Sequence, residues 1–183
     1  MAGAAYDFGN GLTAAVGWAG DENDVANEEG TDAYGFNVAY TTDTFGVSAT
    51  LGSTEDGIAA DNQNTDTFLA LNAYYDPEAG GLPSLSVGYE IGEDASVVGD
   101  NDALSNFFVG LAWDEVGPGE LGIAMGTRVN TVEDTDEQYM YEVYYSYAIN
   151  DGMTITPLFF IQEQSAANTD DTTGIMVKTS FSF

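Results

Sequence analysis

Leu12, Ala14, Val16 and Trp18 alternate with Thr13, Ala15, Gly17 and Ala19. The same two-residue period returns in Tyr34, Phe36, Val38 and Tyr40, and in Phe45, Val47, Ala49 and Leu51. It persists to the C-terminus. Residues two apart share a face only when the chain is extended, so this period calls for strands, and no sustained 3.6-residue pattern competes with it. Eleven strands are expected: Ala2 to Phe8, Leu12 to Ala19, Ala33 to Thr41, Phe45 to Gly52, Thr67 to Tyr75, Ser84 to Gly92, Asn106 to Trp113, Leu121 to Asn130, Tyr139 to Asn150, Met153 to Gln162 and Thr172 to Phe183. Most exceed the usual strand length of about five or six residues. Tilted strands of about nine to eleven residues span a bilayer.

Position by position, one face is continuously apolar. It carries the residues above, then Leu85, Val87, Tyr89 and Ile91, and Phe107, Val109, Leu111 and Trp113. Leu121, Ile123, Met125, Tyr141, Val143, Tyr145 and Tyr147 follow, and Ile175, Val177, Phe181 and Phe183 end it. The other face is small or polar, as in Ser48 and Thr50, Ser84 and Ser86, Gly122 and Ala124, and Thr154 and Thr156. Five charges fall inside these strands, Asp7, Glu90, Arg128, Glu142 and Lys178, and all take the small or polar face. One apolar and one wet side suits a transmembrane barrel. A soluble sandwich alternates too, with its apolar face buried.

The connections separate these two readings. Gly9-Asn10-Gly11, Thr42-Asp43-Thr44 and Asp151-Gly152 are short; Asp76 to Pro83 and Asp114 to Glu120 are longer turns rich in Gly and Pro. Between them come five longer polar loops, Gly20 to Asp32, Ser53 to Asp66, Glu93 to Ser105, Thr131 to Gln138 and Glu163 to Asp171. Those five hold 21 of the 31 acidic residues, so the charge belongs to one rim. Short turns on one side and long loops on the other mark outer-membrane barrels. The fold class expected is all-β, an antiparallel transmembrane β-barrel. The alternative is a soluble acidic β-sandwich acting as a cation-binding or adhesion module.

Composition removes most other functions. Against 31 acidic residues stand one Arg and one Lys, a formal net charge of −29, with no Cys and no His. Disulfides, Cys/His zinc sites and Ser-His or Cys-His catalysis are therefore impossible. Nucleic acid is not an expected partner, since phosphate affinity needs clustered Lys and Arg. No enzyme activity and no cofactor are expected. With 23 aromatic residues the chain is not of the disordered type. It has no apolar run of 18 residues to form a spanning helix. No basic n-region with an apolar h-region opens the sequence, which fits a cytoplasmic protein or a mature or truncated piece of an exported one. The loop bearing Asp21, Glu22, Asp24, Glu28, Glu29 and Asp32 offers carboxylates to divalent cations but lacks EF-hand spacing. It is read as a solvated acidic rim without a defined metal site, as is Asp61 to Asp66.

The ending Val177-Lys178-Thr179-Ser180-Phe181-Ser182-Phe183 resembles the C-terminal signal of outer-membrane barrels, with Phe181 and Phe183 as its aromatic residues. Tyr141-Glu142-Val143-Tyr144-Tyr145-Ser146-Tyr147, followed by Asn150-Asp151-Gly152-Met153-Thr154-Ile155-Thr156-Pro157, resembles the penultimate hairpin of cyanobacterial outer-membrane porins. These join an S-layer-homology domain to an OprB-like barrel and are often labelled iron-uptake porins. Tyr6-Asp7-Phe8-Gly9-Asn10-Gly11-Leu12 resembles a hairpin turn of the same barrels. The resemblance implies an outer-membrane location in a Gram-negative-type bacterium, with membrane lipid and the barrel assembly machinery as partners. It also implies a possible homotrimer and a water-filled channel for small hydrophilic solutes and ions. No residue specifies iron. The family's S-layer-homology domain has no counterpart here.

Bacterial barrels have an even strand count. Eleven strands, with the C-terminus on the short-turn side, imply that at least one N-terminal strand is missing; likeness to sixteen-strand porins makes this the C-terminal two-thirds. Asp7, Glu90, Arg128, Glu142 and Lys178 are the pore-lining candidates. Arg128 and Glu142 flank the Thr131 to Gln138 loop at a register near that of direct or diagonal partners. They form either a charged zone that screens solutes or a wet ion pair worth about 0–1 kcal/mol. The acidic rim favours cations near the mouth.

Overall fold

The structure is a computed structural model, and it describes residues 1–21, 31–56, 64–77, 81–93, 104–128, 137–164 and 170–182. Among them every regular element is a strand. The strands are β1 (Ala2–Asp7), β2 (Leu12–Asp21), β3 (Thr31–Thr41), β4 (Phe45–Asp56), β5 (Asn64–Tyr75), β6 (Ser84–Glu93), β7 (Leu104–Val116), β8 (Gly119–Thr127), β9 (Tyr139–Asn150), β10 (Met153–Gln162) and β11 (Thr172–Phe181). They form one antiparallel sheet in sequence order from β1 to β11, and the sheet is not closed. The eleven expected strands are all present. The chain divides into two compact units, one of residues 1–73 with 89–105 and one of 74–88 with 106–183.

Strand ends differ from expectation. Asp21, Asp32, Glu55, Asp56, Asp66, Glu93, Asp114, Glu115 and Glu120 all fall inside strands, while Arg128 lies one residue past β8. Five strand charges is therefore an undercount. Ladder hydrogen bonds continue past the point where apolar alternation stops, because the backbone needs no apolar side chain to pair. The β7–β8 link shrinks for the same reason: only Gly117 and Pro118 separate the strands, with a register shift between Trp113 and Val116. Strict alternation of short and long links fails once, since 76–83 is no shorter than 57–63.

The first turn shows how local chemistry sets a hairpin. Gly9 and Gly11 have φ of 76° and 85°, a region L side chains avoid. The Asp7 carboxylate accepts the Gly9 N–H at 2.8 Å, and Asn10 Oδ1 accepts the Leu12 N–H at 3.2 Å. A Cβ on Gly11 would also strike the Thr41 carbonyl oxygen, whereas one on Gly17 would meet nothing within 4 Å. Gly11→Ala should therefore cost at least about 1–2 kcal/mol from the left-handed conformation alone. Gly17→Ala should stay within about 0.5 kcal/mol. Urea titrations of the refolded chain, followed by Trp18 and Trp113 fluorescence, will rank the two.

Among the described residues no hydrophobic side chain is buried. A soluble domain of this length is organised around such side chains. Large apolar side chains are exposed on both faces: Val16 is 56 % accessible, Leu51 54 % and Ile175 78 % on the expected apolar face, and Phe108 is 47 % and Met176 55 % on the other.

Candidate functional site: the two faces of the sheet

Registers assemble the apolar face row by row. In the second unit Leu111, Ile123, Val143, Phe159 and Ile175 lie side by side across β7 to β11. One row toward the turns lie Trp113, Leu121, Tyr145, Pro157 and Val177, and next to Tyr145 on its strand stands Tyr147. On the loop side come Val109, Met125, Tyr141 and Ile161, then Phe107, Thr127 and Tyr139. Branched aliphatics thus take four of the five middle positions, with Phe159 the fifth, and aromatics stand toward both ends. In the first unit Val16, Phe36 and Leu51 share a row; Trp18 and Tyr34 flank it toward the loops, and Leu12, Tyr40 and Val47 lie toward the turns.

The tyrosine hydroxyls point to the polar ends. Tyr145 donates to the Val116 carbonyl at 2.8 Å, Tyr139 to the Glu137 carboxylate at 2.7 Å and Tyr34 to Asp32 at 3.5 Å. An apolar ring body with a polar tip is the chemistry of residues at a membrane–water boundary. In the second unit these aromatic ends are not legible in the sequence; placing Trp113 in the row of Tyr145, and Phe107 near Tyr139, requires the cross-strand register.

The opposite face differs between the units. In the first, Gly3, Gly17, Gly35 and Gly52 form a single cross-strand row. Neighbouring rows hold Ala5, Ala15, Asn37 and Thr50, and then Asp7, Thr13, Ala39 and Ser48. Asn37 donates to Thr50 Oγ1 at 2.7 Å. The Phe68 ring covers Gly52. In the second unit the expectation of a small or polar face is corrected. Phe108, Met140, Tyr144, Leu158, Phe160 and Met176 stand on it, in register with Gly126, Gly122 and Gly174 or with one another. Alternation is silent here because Leu158-Phe159-Phe160-Ile161 is apolar at both parities.

Within each unit the pore-lining candidates do not converge. Asp7 shares the lean face with Thr13 but is engaged in the first turn. Glu90 is exposed near the end of β6, in the first unit. Arg128 is not the partner of Glu142. Its backbone N–H donates to Gln138 O at 2.7 Å, and its guanidinium reaches Gln138 Oε1 at 3.3 Å and Gln164 Oε1 at 3.5 Å. Glu142 pairs instead with Ala124 and Phe160, four residues along the strand from Gln138, or about 13 Å. Lys178 is opposite Thr156 on the same face, and Thr156 donates to Ser146 at 3.2 Å.

Of the acidic rim, Glu22, Asp24, Glu28 and Glu29 lie outside the described residues, as does Asp61; Asp21 ends β2. Asp32 lies in register with Gly20 and Glu55, at the loop end of the apolar face. Among the described residues no group of three or more acidic side chains is arranged to hold a metal ion. Phe181 is opposite Met153 on the apolar face, and Phe183 lies outside the described residues. No family model, curated protein or solved structure matches this chain.

Proposed function

We propose that this chain supplies strands to an outer-membrane porin, a water-filled antiparallel barrel that passes small hydrophilic solutes and ions and prefers cations. The observation that carries the reading is the exposed apolar face with its aliphatic middle and aromatic ends, in a chain without a buried hydrophobic side chain among the described residues. Lipid is the solvent that such a face fits. Two edges and eleven antiparallel strands call for an odd number of further strands to close the barrel. Phase partitioning of the refolded chain tests the membrane half directly: a porin segment enters the detergent phase, and a soluble sandwich stays in the aqueous one.

Selectivity tests the channel half. Twenty-one carboxylates on the long-loop side outweigh the sparse charges of the lean face. Their reach follows the Debye length, about 30 Å at 0.01 M salt and about 3 Å at 1 M. Reversal potentials of the complete pore across a salt gradient should show strong cation preference at low salt and weak preference at high salt. Neutralising Asp21, Glu22, Asp24, Glu28 and Glu29 together should reduce the low-salt preference. Glu90→Gln with Glu142→Gln should matter less there. Anion preference, or indifference to the five loop changes, would reduce the rim to solvated decoration.

A further inference from the structure

We propose that the lean face of the second unit carries a binding site for an organic monocation with an apolar body, such as an aryl- or alkylammonium. The site is a hollow of about 610 Å³ whose floor includes Gly110, Ala124 and Gly126. Small floor residues open depth down to the backbone. The walls are the side chains of Phe108, Met140, Tyr144, Leu158, Phe160 and Met176.

Two of the rings are stacked on the sheet. Phe160 covers Gly174 and Tyr144 covers Gly122, while Phe108 approaches the Cβ position of Gly110 at 3.0 Å. The far edges of these rings fill the space that a Cβ on Gly174 or Gly122 would take. The Tyr144 hydroxyl donates to the Glu120 carboxylate, which fixes that ring in place.

Glu142 stands among these rings. Phe160 is directly opposite it in register, and Tyr144 is the next same-face residue on its own strand. Its carboxylate has no cation close by. The Arg128 backbone is about 14 Å from that of Glu142 by strand geometry, and its guanidinium is held by Gln138 and Gln164. Lys178 is two strands and four residues away, about 16 Å. One unpaired carboxylate beside aromatic faces attracts a cation twice, by charge and by the ring quadrupole.

The rest of the lining sets the ligand class. An inorganic divalent cation needs about six to eight oxygen ligands, which these walls do not offer. Anions meet Glu142 and Glu120. A neutral polyol would find apolar walls with few donors. An organic cation satisfies both the carboxylate and the apolar surface, the usual pattern of a few polar groups in an apolar pocket.

The site does not depend on channel function and can be tested on the chain refolded in nonionic detergent with an odd number of antiparallel strands added at an edge. Methionine methyls report it: Met140 and Met176 wall the hollow and Met125 borders it, while Met1 and Met153 are not part of it. Benzyltrimethylammonium should shift the Met140 and Met176 ¹³C-methyl resonances saturably and leave Met1 and Met153 in place. Benzenesulfonate should shift none. Glu142→Gln, nearly isosteric, should weaken the titration at least 10-fold, and Phe160→Leu at least 3-fold; Glu90→Gln should leave it unchanged. Absence of a saturable shift would overturn the site. So would equal shifts from benzyl alcohol that survive Glu142→Gln, or equal movement of Met1 and Met153. Loss of binding with intact phase partitioning would remove this inference and leave the porin reading standing.

Discussion

Arginine at Val143 should block insertion of this chain into a bilayer, and arginine at Val109 should hinder it almost as much. Val143 lies in the aliphatic middle row, between Ile123 and Phe159, and Val109 lies one row toward the loops beside Met125. A charge facing lipid at the midplane of a barrel costs about 2–4 kcal/mol, falling toward the interfaces. At about 1.4 kcal/mol per tenfold, that is a loss of roughly 30- to 700-fold in the inserted fraction at equilibrium. Ala124→Arg and Ser86→Arg put the same charge on the lean face, where water reaches it. They should insert close to normally. Folding into lipid vesicles across a urea series, with each variant carried on the chain extended by an odd number of edge strands and read by tryptophan fluorescence, gives all four values. Equal damage on both faces would mean that the apolar face packs against protein.

Refolding residues 1 to 183 alone should yield no heat-modifiable monomer. The sheet runs linearly from β1 to β11, so each edge strand has one partner. In a sheet of eleven antiparallel strands the two edges run parallel to each other, and they cannot join with antiparallel neighbours at the seam. Free edges carry rows of unpaired N–H and C=O groups, unaffordable in hydrocarbon and prone to edge-to-edge association in water. Detergent refolding should give oligomers on unheated gels and rapid proteolysis. Adding an odd number of antiparallel strands at an edge should convert them into a protease-resistant species that migrates faster unheated than boiled. Such a species formed by this chain alone would defeat the prediction.

Individual residues show which features were legible in the sequence. The face on which Val16, Tyr34, Val143 and Val177 stand could be read from parity, and so could the apolar extent of most strands. Where both parities are apolar, as at Leu158 to Ile161, the rule lost its signal, and the aromatic cluster of the lean face went unseen. Strand ends bearing carboxylates, such as Glu120 and Asp32, were read as loop because hydrophobicity stops there while hydrogen bonding does not. Parity places Glu142 on the lean face, but only the register shows that Ala124 and Phe160, not Arg128, are its neighbours.

The sequence by itself determined the eleven strands, their continuous apolar face and the concentration of acidic residues in the links of one side. Those properties are local: in a strand, positions two apart share a face whatever the partner strand does. The tertiary structure decided which residues stand beside one another. A one-residue shift such as that between Trp113 and Val116 changes every pairing beyond it, and turn geometry fixes the rest. Register therefore took Arg128 to Gln138, left Glu142 among Phe160 and Tyr144, and set the aromatic residues of β7 in rows with those of β9.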